Sequence, residues 1–564
     1  MTRFRFRAKP TRAPWVFLLA FMAAHLLACE ENADGTVGAI ELTDLAPGSD
    51  YAQALPGEVA MRRLTQAQFV NSVTDVFGSD VVVPKFSEPD TSLGGLLSVG
   101  ASQTAFSARG VESIEDAAYG LSEQALDTDV LKARLVPCSP SATVDDECAL
   151  QTIESLGRLL WRRSLTDEES QALVLVAGQS AAVLGDFYDG LEFAIAGLLQ
   201  SPNFLYRIEA GIDDASSVSG RAFTGTDMAA RLSFFLWNST PDHELLSAGE
   251  SGELLTREGL FAHATRLLDS DRAREGVRNF FSEFLQLYEL EHLSKDPTIF
   301  EQFNDELGKD AAEETLQLID YLVFDLEGDY RELLTTRETF VNPRLAAIYN
   351  IPAPSPDGFA YTLMPQDGPR TGILGHVSFL AGHAHQVSSS ATLRGKAVRT
   401  ILLCQSIPAP PVDVDTSIPE PSGNTLTLRD RVAEHLENPS CAACHIMTDP
   451  IGLGLENFDS IGRWRDTDNG ANIDASGDLD GVLFENPVGL GTAVGEHPSL
   501  AKCLVQRMSR YAMGRFESNE ERAVLRSLQD RFEFHGYRVK PLMMEIIMSP
   551  LFENAGSLIE EAAR

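Results

Sequence analysis

The stretch that decides the fold of this chain is Cys441-Ala442-Ala443-Cys444-His445, which lies near the C-terminal end of 564 residues. Two cysteines three positions apart share one face of a helix, because side chains at i and i+3 are neighbours there. Such a pair followed directly by histidine is typical of c-type haem attachment. In that chemistry the thiols bond to the haem and the imidazole is the proximal iron ligand. The motif therefore predicts one covalent haem c within a helical domain.

The N-terminus has the layout of an export signal. Residues 1–12 carry five basic side chains and no acidic one, and an apolar run follows over residues 13–27. This layout is typical of a signal peptide, and the run is too short for a membrane span. It ends in Leu26-Leu27-Ala28-Cys29, which resembles the lipobox of bacterial lipoproteins, where the cysteine thiol carries a diacylglycerol. We expect a signal peptide over residues 1–28 and lipidation of Cys29; a plain secretory signal with a chance cysteine is the alternative.

Two other kinds of site contain a Cys-x-x-Cys sequence: a thioredoxin-like redox pair and half of a zinc site. The redox pair would need a βαβ setting, which the sequence around the motif lacks. The zinc site would need a second Cys/His pair, and none stands close to the motif. Haem attachment is the preferred interpretation, because it takes place in exported chains.

The chain is strongly acidic, with a formal net charge of −37 at pH 7. Cleavage before Cys29 removes five basic residues and takes the charge to −42. Such a surface argues against nucleic acid as a partner and against direct adhesion to anionic lipid. Membrane contact would come through the lipid, with the polar, Gly/Asp/Ala-rich residues 29–56 as a tether. We therefore expect a lipid-anchored protein of the cell envelope that faces the periplasm or the outer surface.

The seven cysteines can be sorted by these assignments. The lipid takes Cys29, and the haem takes Cys441 and Cys444. An even number remains in an oxidising compartment, where disulfides persist: Cys138, Cys148, Cys404 and Cys503. The first two bracket a short polar loop and are expected to pair, which leaves the last two as partners by elimination. Two free buried thiols are the alternative for the last two.

Helical patterns run through almost the whole chain. Thr65-Gln66-Ala67-Gln68 and Thr166-Asp167-Glu168-Glu169 are capping boxes that begin apolar runs of helical spacing. Thr240-Pro241 has the form of an N-cap followed by proline at the first helical position. Amphipathic spacing predicts two helices within residues 260–293 and another over residues 311–324. Sustained period-two alternation is absent from the sequence, so the predicted fold class is mainly α with short strands.

Further motifs follow the haem motif: Asp449-Pro450-Ile451-Gly452, Leu455-Glu456-Asn457-Phe458-Asp459 and Gly462-Arg463-Trp464-Arg465. With them the chain resembles a large family of exported bacterial multi-domain haem proteins, built from several domains of unknown function and a C-terminal cytochrome-c-like segment. The segments that carry the resemblance are 62–78, 161–207, 231–345, 370–465 and 511–552. The resemblance implies an architecture and leaves the activity open.

Composition and resemblance together divide the chain into a signal peptide, a tether, three helical modules, a pre-haem segment and a cytochrome-c-like haem domain. Their predicted bounds are 1–28, 29–56, 57–140, 150–210, 222–352, 370–424 and 425–560. The pre-haem segment includes a Pro/Asp-rich linker over residues 408–421, which leads from Cys404 toward the haem motif.

The second axial ligand of the iron has several candidates. His385 and His383 come first because a polar loop carries both imidazoles. Met508 comes second, because it lies 63 residues beyond His445, a separation like that of the axial methionine in small cytochromes c. Core packing of the methionine and an open five-coordinate iron are the alternatives. Residues 463–465 could donate to the haem propionates; a surface basic pair beside a buried tryptophan is the other interpretation.

Covalent haem in an envelope lipoprotein favours single-electron transfer with a redox partner protein of the envelope. The sequence assigns no catalytic residue. A haem enzyme of the peroxidase or oxygenase type, with an open distal site, is the first alternative. An envelope binding protein in which the haem is secondary is the other. Iron coordination separates carrier from enzyme, since a six-coordinate low-spin iron favours a carrier.

Overall fold

The computed structural model describes residues 40–47, 51–52, 54–59, 61–408, 422, 426–437 and 439–557. The predicted signal peptide, Cys29, most of the tether and most of the Pro-rich linker lie outside the described residues. From Leu42 onward the described residues belong to one compact unit. Within the described ranges, no helix is both long enough and apolar enough to cross a membrane.

The first part of the chain is a set of helices packed around Phe187–Gln200 (α7). Its main neighbours are Ala108–Ala125 (α3), Asp146–Trp161 (α5) and Asp167–Leu184 (α6). Both predicted capping boxes are confirmed, at the starts of α1 and α6. The apolar faces of these helices bury Leu191 and Phe204 completely. The elements are β1 (Arg62–Arg63), α1 (Gln66–Phe77), α2 (Leu97–Gly100), α3 (Ala108–Ala125), α4 (Asp129–Leu135), α5 (Asp146–Trp161), α6 (Asp167–Leu184), α7 (Phe187–Gln200), α8 (Pro202–Leu205) and β2 (Tyr206–Arg207).

The middle part contains the helices that amphipathic spacing predicted, two of them before residue 293 and one after residue 306. That prediction is confirmed by the helices Arg257–Leu268 (α11), Arg272–Phe284 (α12) and Leu307–Asp320 (α13). The elements are β3 (Ile212–Asp213), β4 (Arg221–Ala222), α9 (Gly225–Leu236), α10 (His243–Ser251), α11 (Arg257–Leu268), α12 (Arg272–Phe284), α13 (Leu307–Asp320), β5 (Glu338–Val341), α14 (Pro343–Tyr349) and β6 (Ala360–Leu363).

The predicted N-cap at Thr240 is wrong. Helix α10 begins at His243, and its N-cap is Asp242, whose carboxylate accepts from the backbone N–H of Leu245 at 2.8 Å. The hydroxyl of Thr240 instead donates to the carbonyl oxygen of Leu159 at 2.6 Å. The hydroxyl of Thr240 therefore makes a tertiary hydrogen bond to the end of α5 and does not cap α10.

The last part carries the predicted haem motif on the helix Pro439–Gly452 (α18) and ends in a group of helices within residues 498–553. Its elements are α15 (Val377–Gly382), α16 (Ala391–Ala397), α17 (Leu428–Glu437), α18 (Pro439–Gly452), β7 (Thr467–Asp468), β8 (Ala471–Asn472), β9 (Gly477–Leu479), β10 (Val482–Phe484), α19 (Pro487–Gly495), α20 (Pro498–Met513), α21 (Arg522–Phe534), α22 (Val539–Ile547) and α23 (Pro550–Glu553).

Strands are short wherever the structure describes them. Each strand is two to four residues long and pairs with one other strand in antiparallel orientation. The pairs are β1 with β2, β3 with β4, β5 with β6, β7 with β8 and β9 with β10. The first pair aligns Arg62 with Arg207 and so joins residues far apart in sequence. The prediction of a mainly α fold is confirmed.

The early and late segments of the described chain meet in space. The backbone N–H of Val59 donates to the carbonyl oxygen of Ser557 at 2.9 Å. The hydroxyl of Tyr51 donates to the carboxylate of Glu545 at 2.5 Å. These contacts tie residues 51–59 to the terminal helices, so the first and last parts of the sequence stabilise each other.

Candidate haem-attachment site

Helix α18 carries the whole predicted motif. Cys441 and Cys444 lie one turn apart on the same face, and both side chains are half-buried. Both are free thiols. His445 follows on the same helix and is also half-buried. The three residues therefore meet the first requirement of covalent haem attachment, which is two reduced thiols and an imidazole on one rigid element.

The remaining described cysteines pair as the sequence predicted: Cys138–Cys148 and Cys404–Cys503. The second bridge joins the segment after α16 to α20. Four residues beyond Cys404, the carbonyl oxygen of Pro408 accepts from the Sγ of Cys444 at 3.0 Å. The bridge thus anchors the segment that reaches the motif.

A close crossing with α16 fixes the position of α18. A Cβ atom at Gly395 would lie 1.9 Å from the carbonyl oxygen of Thr448, and one at Gly452 would lie 1.8 Å from the carbonyl oxygen of Ala391. A Cβ atom at these distances would clash with the carbonyl oxygens, so glycine is required at both points for the two backbones to approach. The helix that carries the motif is therefore held by backbone packing as well as by side chains.

The imidazole of His445 faces a buried carboxylate. Nδ1 of His445 lies 2.6 Å from Oδ2 of Asp449, one helical turn later. Asp449 is 2% exposed, and its other oxygen accepts from the hydroxyls of Thr392 at 2.8 Å and Thr448 at 3.1 Å. Because a carboxylate only accepts, Nδ1 is the ring nitrogen that carries the proton. A ring with its one proton on Nδ1 carries its lone pair on Nε2, which is the tautomer that a metal-binding histidine needs.

Arg394 of α16 organises the turns that follow α18, and the sequence did not mark it. It is fully buried, and burial lowers its pKa to about 10, so it stays a cation at neutral pH. Its guanidinium donates to four backbone oxygens, those of Leu380, Leu455, Phe458 and Asp459. An arginine in an amphipathic helix is normally assigned to the surface, and only the tertiary structure gives it this role.

His383, a candidate distal ligand, lies at the end of α15 beside a cavity of about 420 Å³. Its ring contacts Phe379 edge to face, with 4.9 Å between centroids. Burial, together with the positive charges of Arg394 and Lys295, lowers the pKa of His383 to about 4, so the ring is neutral at pH 7. Lys295, which the sequence did not single out, lines the same cavity, and burial lowers its pKa to about 7.

The other two candidate distal ligands have different surroundings. The side chain of His385 is exposed, and its carbonyl oxygen accepts from Nζ of Lys295 at 3.0 Å. Met508 is 1% exposed on α20, which packs against α21, α22 and α23. The structure thus brings Cys441, Cys444 and His445 together on one helix and places the distal candidates on other elements.

The candidate propionate donors are engaged with carboxylates of their own segment. Nε of Arg463 donates to Asp459 at 2.7 Å, and the guanidinium of Arg465 pairs with Glu456. Trp464 between them is 41% exposed and lines an open cleft of about 1150 Å³. The tryptophan is therefore a surface residue, in contrast to the buried ring of the alternative interpretation.

The described residues contain no group of three or more His, Cys, Asp or Glu side chains arranged to hold a metal ion.

Four family models match separate parts of the chain, and each is described as a protein of unknown function: DUF1595 over residues 148–209, DUF1592 over 223–351, DUF1588 over 370–468 and DUF1585 over 480–552. No curated protein and no solved structure matches the chain. The chain therefore combines four domains of unknown function, of families associated with cytochrome c, in one multi-domain architecture.

Proposed function

We propose that this protein is a lipid-anchored, cytochrome-c-like protein of the cell envelope that binds one haem covalently and transfers single electrons. One observation carries the proposal. Four described cysteines are paired in disulfides, whereas Cys441 and Cys444 keep free thiols on one face of α18. Thiols that stay reduced in a disulfide-forming chain are available for the two thioether bonds of a c-type haem.

The donor set fits a c-type haem. Cys441 and Cys444 would hold it covalently, and His445 would bind the iron through Nε2, because Nδ1 faces Asp449. Bound haem supplies a one-electron iron couple. The chain itself keeps the proton at Nδ1 and fixes the ring plane, since two threonine hydroxyls hold the carboxylate of Asp449 in place.

The distal ligand decides between an electron carrier and the alternative haem enzyme of the peroxidase or oxygenase type. A carrier needs a protein ligand on that side, for which His383, His385 and Met508 are the candidates. The neutral ring of His383 beside a cavity favours it over the exposed His385. We expect a six-coordinate low-spin visible spectrum in both oxidation states. A five-coordinate high-spin spectrum would favour the enzyme.

Haem staining of a denaturing gel tests the attachment, since thioether bonds survive denaturation. We expect haem to migrate with the polypeptide, and Cys441→Ala with Cys444→Ala to abolish the stain. The matched control is Cys138→Ser with Cys148→Ser, which also removes two thiols and should keep the stain. Wild-type protein whose haem washes away would overturn the proposal.

The anchor is tested separately by the intact mass of the mature protein. The lipobox-like sequence before Cys29 leads us to expect a chain that begins at Cys29 and carries a diacylglycerol. An unmodified N-terminus at another residue would refute the anchor and leave the haem proposal standing. The partner is expected to be a redox protein of the envelope that tolerates a strongly acidic surface.

A further inference from the structure

A cluster of buried arginines lies where the early, middle and late parts of the described chain meet. Its centre is the carboxylate of Glu209, which is 3% exposed. Three guanidinium groups donate to it: Arg62 Nη2 at 2.6 Å, Arg207 Nε at 2.8 Å and Arg231 Nη1 at 3.0 Å. The side chains of the three arginines are only 4–5% exposed.

The cluster has an excess of positive charge. Three guanidinium groups share the single carboxylate of Glu209, and among the described residues a fourth buried arginine, Arg162, donates only to backbone carbonyl oxygens. Burial and the charge of Arg62 lower the pKa of Arg207 to about 9, so the group remains a cation at neutral pH. Asp227, one turn before Arg231, accepts from the N–H and hydroxyl of Thr224. Buried charge without a partner is costly, so this surplus calls for a counter-charge.

A small cavity of about 10 Å³ lies at the edge of the cluster, beside Arg62 and Arg231. Its lining includes Arg62, Arg231, Gly514 and Arg515, and the guanidinium of Arg515 is already paired with the buried carboxylate of Glu521 at 2.7 Å. Nη1 of Arg62 is buried and has no hydrogen-bond partner among the described residues. A Cβ atom at Gly514 would lie 1.7 Å from that nitrogen, so the absence of a side chain there is what leaves room for the guanidinium. The volume suits one particle of about the size of a water molecule.

We propose that this cavity binds a single small inorganic anion of the halide class. An anion satisfies the orphan N–H of Arg62 and offsets the surplus positive charge at the same time, whereas a water molecule does only the first. Carboxylates, phosphate and sulfate are excluded by the size of the cavity. The site is independent of the haem motif, and its residues come from β1, α9 and the end of α20.

Occupancy would stabilise the whole fold, because the lining residues join segments that are far apart in sequence. An ion that binds the folded chain and not the unfolded one raises the thermal midpoint with a saturating concentration dependence. We expect the full-length protein to unfold at a higher temperature in chloride or bromide than in gluconate at equal ionic strength and pH. Arg62→Gln should lose this dependence on the halide.

The matched control is Arg221→Gln, which removes one positive charge from an ion pair with the exposed Asp213 and should keep the halide dependence. A crystal grown in bromide gives the direct measurement, an anomalous peak next to Nη1 of Arg62. This measurement needs only the wild type, so it decides the matter if Arg62→Gln does not fold. Equal midpoints in bromide and gluconate, or a cavity that holds only water in the bromide crystal, would overturn the proposal.

Discussion

The buried cluster around Glu209 and the half-buried motif on α18, with Cys441, Cys444 and His445, are two polar regions of opposite design. In the cluster, the carboxylate of Glu209 is satisfied by arginines: burial alone would raise the pKa of Glu209, but the surrounding arginines outweigh burial and hold that pKa well below its usual range. On α18, the framework around the motif is fixed, but the two thiols bond to no other cysteine. The ion pairs of the cluster stabilise the fold, whereas the thiols of Cys441 and Cys444 are held in position and available to react.

The two regions also differ in what holds them. The Glu209 cluster depends on ion pairs, whose strength comes from low exposure and short distances. The motif helix depends on backbone contact at Gly395 and Gly452 and on the Cys404–Cys503 bridge. Removal of a charge should therefore damage the first region most, and removal of a covalent link should damage the second.

The largest effect should follow loss of the Cys404–Cys503 bridge. Its sequence separation of 99, against 10 for Cys138–Cys148, makes it the greater constraint on the unfolded chain. In the chain-entropy model the longer loop contributes up to roughly 4–5 kcal/mol and the shorter one about 2–3 kcal/mol. We expect Cys404→Ser with Cys503→Ser to lower the thermal midpoint more than Cys138→Ser with Cys148→Ser, with haem still attached. Equal losses in the two double variants would contradict the comparison.

Glu209→Gln should break the cluster of charges. It leaves three buried guanidinium groups without a carboxylate, and a broken buried ion pair costs about 3–5 kcal/mol. Urea denaturation followed by circular dichroism measures the loss of unfolding free energy. Glu291→Gln is the control, because the ion pair of Glu291 with Lys85 is exposed and should contribute no more than about 1 kcal/mol. A Glu209→Gln protein as stable as the control would show that the cluster is not structural.

A buried carboxyl without an arginine bonded to it should respond to pH in the opposite sense to Glu209. Burial raises the pKa of Glu314 from 4.5 to about 7, although Thr339 and Tyr349 donate hydrogen bonds to it. Between these values the folded chain keeps a proton that the unfolded chain has released, so stability falls as the pH rises from about 4.5 to 7. Glu314→Gln should remove about 2–4 kcal/mol of that decline. Thermal midpoints from pH 4 to 8 test this, and parallel curves for variant and wild type would refute it.

The smallest effect should come from the carboxylate beside His445. A negative charge at the ring N–H stabilises the ferric state, so Asp449→Asn should raise the midpoint potential of the attached haem. We expect a tenfold change in the couple, about 59 mV for one electron. Thr392→Val should shift the potential the other way, because it removes a donor that draws charge from Asp449.

The control for that measurement is Asp474→Asn, which makes the same charge change at a side chain that is 61% exposed. Its potential should stay within error of the wild type, because solvent screens the exposed charge. A haem stain that persists in Asp449→Asn while the potential is unchanged would refute the role of Asp449 alone. Loss of the stain in the wild type would refute the haem proposal itself.

Several features followed from short stretches of sequence alone. Contacts within one or two helical turns decide the mainly α fold and the capping boxes at Thr65 and Thr166. They also decide that Cys441 and Cys444 lie on one helix. The Cys404–Cys503 pairing was also predicted, because only a few cysteines remained to be assigned. The spacing of residues within a helix and the number of cysteines left to pair can both be read directly from a sequence.

Other features were decided only by the tertiary structure. The sequence could not tell that Asp242 and not Thr240 caps α10, that Gly395 meets Thr448, or that Arg62 and Arg231 share Glu209. Each depends on a partner more than twenty residues away, or on a hydroxyl that donates to such a partner. Burial sets the strength of these polar contacts, and burial is a property of packing. The sequence by itself therefore determined the local elements and the placement of the motif on one helix, and tertiary packing decided which charges are buried and which groups pair with them.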